Sequence, residues 1–113
     1  LDDCQFEHFC ANVLNANGYQ MAVTRKGGDG GKDLVGWNDK NQRIFGEVKH
    51  YNDSNKVGRP LMQKLKGAMA DAGVERGVFI TTSSFTREAI EYAKRNKIQC
   101  IDRSGLERLI RRA

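Results

Sequence analysis

Three short β-type runs follow one another between residues 19 and 51, and beyond Pro60 helical and extended patterns alternate. Residues 19–25 hold Met21 and Val23 in alternation, while 33–37 and 43–51 flank the polar stretch 38–42, which reads as a hairpin turn. Ahead of them, residues 2–17 space Phe6, Phe9, Cys10, Val13 and Leu14 as one face of a helix, with Asn17-Gly18 as its stop. Residues 53–59 are polar and read as loop. Pro60 then suits the first turn of a helix to Ala72 that buries Leu61, Leu65, Ala68, Met69 and Ala72. A strand at 77–82 is centred on Val78, Phe79 and Ile80, and a Thr86-capped helix runs to 97. A strand at 98–102 and a basic helix at 106–112 follow. The order α-β-β-β-α-β-α-β-α implies an α/β fold: a central mixed sheet flanked by helices.

Asp33 and Glu47 lie equidistant in sequence from Lys40, near the middle of the turn. A symmetric antiparallel hairpin sets them opposite each other, with Cβ atoms roughly 4.5–5.5 Å apart. Two like charges at that distance are destabilising unless a cation sits between them. Strand alternation puts Lys49 on the same face and turns Val48 away. Val35, Trp37 and Phe45 share the carboxylate face and are expected in the core. Two carboxylates and an ammonium suit phosphodiester hydrolysis. Asp33 and Glu47, joined by the backbone carbonyl of Val48, would hold Mg²⁺, with Mn²⁺ as a substitute. The metal would polarise a phosphate and acidify a water that Lys49 orients. The bland alternative is a surface salt-bridge cluster. The glycine-dense loop before Asp33 and the apolar residues on the same face favour the chemical reading.

The 113 residues fit one domain, and no apolar run nears the roughly 20 needed to span a bilayer. The acidic Asp2-Asp3 start is unlike a signal peptide, and Leu1 in place of Met is expected of a domain excised from a longer protein. Nineteen Lys and Arg against fourteen Asp and Glu give +5, which favours a polyanionic partner such as DNA. Lys26, Lys32, Lys56, Arg59 and Lys64 flank the carboxylates in sequence and are expected on phosphates. Lys66, Arg108, Arg111 and Arg112 read as solvent faces. Three sparse cysteines, Cys4, Cys10 and Cys100, suggest a reducing, cytoplasmic setting. Cys4, His8 and Cys10 lack the paired spacing of a zinc site. The run 26–32 departs from a nucleotide-binding P-loop, since Lys26 stands where its first glycine belongs and Asp33 replaces its hydroxyl. Its glycines are expected to let the chain turn tightly, with Asp29 as a cap. Thr81 and Thr82 close a strand where hydroxyls bind phosphate or cap. His8 and His50 have no Ser or Cys partner motif.

Asp33 followed by Glu47-Val48-Lys49 matches the PD-(D/E)xK nuclease motif, and the order of elements resembles that superfamily's αβββαβ core. Within it the chain is most similar to Mrr-like restriction endonuclease domains, and more distantly to Holliday-junction resolvases. The supporting segments are Phe6-Glu7, Asn17-Gly18-Tyr19, Gly28-Asp29-Gly30-Gly31-Lys32-Asp33, Glu47-Val48-Lys49-His50-Tyr51, Thr81-Thr82-Ser83-Ser84-Phe85-Thr86 with Ala89, and Ile101-Asp102. They run over nearly the whole chain. Many Mrr-like members carry Gln where Glu47 stands, and the Glu form favours metal binding. The resemblance implies a metal-dependent DNA endonuclease of restriction type, with Glu7 in a supporting role near the metal and Gln63 within reach of the site. It also implies specificity for modified DNA, supplied by dimerisation or by a fused or separate recognition domain. A structure-selective nuclease, a nuclease-fold module that only binds DNA, and a scaffold without DNA are the rival readings. Preference for branched DNA, absence of metal-dependent turnover, and absence of salt-dependent DNA affinity would mark them in turn.

Overall fold

The computed structural model describes residues 1–24 and 32–113. Helix α1 (Asp3–Ala16) opens on a reciprocal cap: the Asp2 carboxylate accepts the Gln5 N–H at 2.7 Å, and the Gln5 side chain accepts the Asp2 N–H at 2.9 Å. The chain then turns through Gly18, at φ +95°, into β1 (Gln20–Val23). Strands β2 (Leu34–Trp37) and β3 (Arg43–Lys49) complete an antiparallel meander. After β4 (Lys56–Val57) and α2 (Arg59–Ala72), strand β5 (Arg76–Thr81) returns parallel to β3. Strand β6 (Ser84–Phe85), helix α3 (Arg87–Arg95), strand β7 (Ile98–Ile101) and helix α4 (Arg103–Arg112) follow.

Five strands form one mixed sheet in the order β1-β2-β3-β5-β7, which makes β3 the central strand. Side chains alternate between two cores. Ile44, Val48, Val78 and Ile80 pack with Phe6, Cys10 and Leu14 of α1 and Leu106 of α4. Phe45 and Phe79 pack with Met62, Leu65 and Met69 of α2 and Ala89 and Ala93 of α3. The architecture is the mixed sheet flanked by helices implied by the order of elements.

The details depart from the expectations in four places. Trp37 is 44% exposed, not core: it ends β2 beside the turn, with the Arg43 guanidinium 6.0 Å from its ring. On α2 the buried stripe is Met62, Leu65 and Met69, while Ala72, expected inside, faces solvent at the helix end. The polar stretch 53–59 contains β4, which pairs in parallel with β6 and fully buries Val57. Finally, α4 begins at Arg103 and not at Leu106, because the Asp102 carboxylate caps it by accepting the Gly105 N–H at 2.9 Å. Among the described residues no helix is long and apolar enough to cross a membrane.

Candidate active site

One asparagine organises the turn between β2 and β3. The Asn38 side-chain oxygen accepts the N–H groups of Lys40 and Gln42 at 3.0 and 2.9 Å, and its amide donates to the Gln42 side chain at 3.0 Å. Asn41 supplies the left-handed residue, at φ +62°. The pairing that results, Trp37 with Arg43 through Leu34 with Gly46, has the symmetry about Lys40 that brings Asp33 to Glu47. Asp33 lies one residue past the ladder but stays tied to both neighbours. Its N–H donates to the Gly46 carbonyl at 2.7 Å, and its carbonyl accepts the Thr24 N–H at 2.8 Å.

The Asp33 carboxylate accepts the Val48 N–H at 3.0 Å, an amide that strand alternation leaves facing it. Glu47 is buried. Burial, then the charge of Asp33 and a hydrogen bond shared with that carboxyl push Glu47 up to about 8, against a pull from Lys49 and Lys64. Among the described residues its Oε1 has no hydrogen-bond partner. Such an oxygen is costly to bury unless something positive meets it. Among the described residues no three His, Cys, Asp or Glu side chains come together as a metal-holding group. A hard divalent cation such as Mg²⁺, which takes one or two carboxylates and fills its other positions with water and phosphate oxygens, fits this donor set.

The pair opens on a cavity of about 180 Å³ lined also by Asp3, Phe6 and Glu7 of α1 and by Lys49, His50 and Tyr51. Glu7 therefore shares the cavity with the carboxylates, and Asp3 joins it although its sequence position carries no signal beyond a first-turn acid. His50 is exposed and stacks on Phe6 with ring centroids 4.8 Å apart, which ties the end of β3 to α1. A larger cavity, about 540 Å³, lies between α3, β7 and α4 and holds a single carboxylate, Asp102, beside Lys94, Arg108 and Arg112.

The expected phosphate-binding residues divide. Lys64, exposed on α2, lies close enough for its charge to act on Glu47, with Gln63 exposed beside it in sequence. Lys32 places its ammonium 5.0 Å from the Phe45 ring, on the carboxylate face. Lys56 is exposed on β4, and Arg59 stacks over Tyr92 at 5.1 Å, on the α3 side. Lys26, Asp29 and the glycines of 27–31 lie outside the described residues. Thr81 is fully buried and spends its hydroxyl on the Lys49 carbonyl at 2.9 Å; Thr82 donates to the Tyr51 carbonyl at 2.6 Å. Neither the phosphate binding nor the capping expected of these two includes their grip on the end of β3 and the residues that follow it. The register of β5 against β3 was the signal needed. Cys10 is buried, with its thiol pushed up to about 12 by desolvation and then by Glu7, while Cys4 and His8 are exposed.

Residues 1–110 match the family Mrr_cat, described as restriction endonuclease. The Type IV methyl-directed restriction enzyme EcoKMrr of Escherichia coli (strain K12) is 39% identical over 97 residues, which cover 80% of this chain and 31% of that enzyme. The chain thus spans less than a third of the length of this relative. Among solved structures, the DNA modification-dependent restriction endonuclease AspBHI superposes with a TM-score of 0.78 at 22% identity, over 95% of this chain and 30% of the other. The MspJI restriction endonuclease, solved in complex with a 27-mer oligonucleotide, gives 0.69 at 21% identity, over 95% and 27%. At those identities the likeness is one of fold.

Proposed function

The chain belongs to the Mrr-type restriction endonuclease catalytic family, and from that premise we propose that it hydrolyses DNA phosphodiester bonds at the Asp33, Glu47 and Lys49 cluster with Mg²⁺ or Mn²⁺. The observation that carries the reading is the carboxyl pair of half-buried Asp33 and buried Glu47, whose Oε1 has no partner among the described residues, beside Lys49 on the strand that bears Glu47. Asp33 and Glu47, with the carbonyl of Val48, would hold the ion. When bound, it supplies Lewis-acid polarisation of the phosphate and lowers the pKa of water.

The chain's own residues do the rest. The Val48 N–H fixes the Asp33 carboxylate, leaving Glu47 as the group that must give up its proton before the pair can act as a ligand. Lys49, half-buried on the same face, presents an ammonium to the attacking water and to the charge that grows on the phosphate oxygens. Lys32 and Lys64 flank the cluster and hold the DNA backbone, a contact that positions a duplex without reading it. Glu7 supports from α1. The E. coli relative is named methyl-directed and AspBHI modification-dependent. Modified DNA is therefore the proposed substrate class, read by a recognition domain or by a second copy that also supplies the second cut.

The test is plasmid nicking by wild type and Lys49→Ala with Mg²⁺, with Mn²⁺ and with chelator. Metal-dependent nicking that falls by at least about 100-fold in the variant is expected, by analogy with removal of one charge-stabilising donor. Equal cutting by both proteins would sink the assignment of Lys49. Binding of DNA without cutting under every condition would make the domain a binding module.

A further inference from the structure

The last rung between β3 and β5 falls at the catalytic lysine. Lys49 pairs with Thr81, and the Thr82 N–H reaches the Lys49 carbonyl at 3.3 Å, beyond the usual N–H···O range. That weak rung is reinforced from the side. The Thr81 hydroxyl donates to the same carbonyl at 2.9 Å, and the Thr82 hydroxyl grips Tyr51, two residues further on, at 2.6 Å. Thr81 has one proton to give, and it goes to Lys49. Its contact with Ser83 Oγ at 3.2 Å is therefore donated by Ser83, and it also accepts the Ser83 N–H at 3.2 Å. The Ser83 carbonyl in turn accepts the Arg103 N–H at 3.1 Å, while the Arg103 guanidinium takes both Asp53 carboxylate oxygens at 3.0 and 3.1 Å. The carbonyls on either side of His50 are thus anchored to one turn, and that turn is anchored to α4.

We propose that Thr81 and Thr82 are positioning residues that clip the backbone of Lys49 and Tyr51 and so hold the Lys49 ammonium in line with the carboxyl pair; the proposal rests on the nuclease reading above. A strand end held only by a long rung frays, and a lysine on a fraying end spends less time where charge develops. Displacement of a catalytic group by about 1 Å costs roughly 100-fold in rate.

Nicking and a spectroscopic measurement that needs no catalysis test this together. Thr81→Val should lower the rate at saturating DNA by roughly 10- to 100-fold with DNA affinity unchanged, and Thr81→Ser should restore it. Thr82→Val, at a half-buried position, tests the outer clip should Thr81→Val fold poorly. In protein carrying ¹³C-methylated lysines, the Lys49 signal, assigned by its loss in Lys49→Arg, should move toward the exposed lysines in both Val variants. It should return in Thr81→Ser. If wild type never nicks while the Lys49 signal moves as expected, the proposed function fails and the clip stands. A Lys49 signal indifferent to both Val variants, or a Thr81→Ser protein as slow as Thr81→Val, overturns the clip.

Discussion

Glu47 concentrates the electrostatics of the site in one group. Free in the unfolded chain its carboxyl titrates near 4.5, and in the fold burial and Asp33 raise it to about 8. Between these values the folded chain keeps a proton that the unfolded chain has lost. The group's contribution to stability is therefore full below the unfolded pKa and is lost as pH rises through about 8. In chelator, the melting temperature should fall across this window as pH is raised, and Glu47→Gln should remove that part of the fall. Mg²⁺ should raise the wild-type melting temperature more at the alkaline end of the window than at the acid end, because binding requires the proton to leave. A Glu47→Gln protein with the wild-type slope would place the titration elsewhere. The juxtaposition of Asp33 with Glu47 is legible from their spacing about the turn because the β2–β3 ladder runs unbroken from the turn to Gly46. The orphaned oxygen and the threonine clip are not, since both depend on what β5 and α1 bring up from distant sequence.

At the level of the element, the turn at Asn38 sets the geometry of the carboxylates at the far end of the hairpin. A slip of one residue would send Glu47 to the opposite face. Asn38→Ala removes three side-chain hydrogen bonds and should destabilise the protein by about 1–3 kcal/mol. It should also lower nicking by more than the loss of folded protein explains; urea melts beside rate measurements will separate the two. The long periodic segments are readable because their apolar spacing repeats over several turns or alternations. Lys56–Val57 and Ser84–Phe85 are too short to show any period, and Val57 is buried only because the two meet across the chain. Ala72 and Trp37 mislead for a related reason. Periodicity says which way a side chain points, not whether anything lies there, and both sit at element ends.

Across the whole molecule the charge is +5, and cations near the carboxylates come from the approach to β2, from β3 itself and from α2. DNA affinity should fall steeply with salt, and Lys56→Ala or Lys64→Ala should each reduce the slope of log K against log salt by about 1. A slope unchanged by both would remove them from the contact surface. The sheet order puts β3 between β2 and β5, with two strands on each side. Its amides are shielded on both flanks and should exchange with solvent hydrogen only when the whole domain opens. The carboxylate-bearing strand is then the last part of the molecule to come apart. Denaturant titrations should accordingly lose nicking and global structure at one midpoint, with no window in which a folded domain has a melted site.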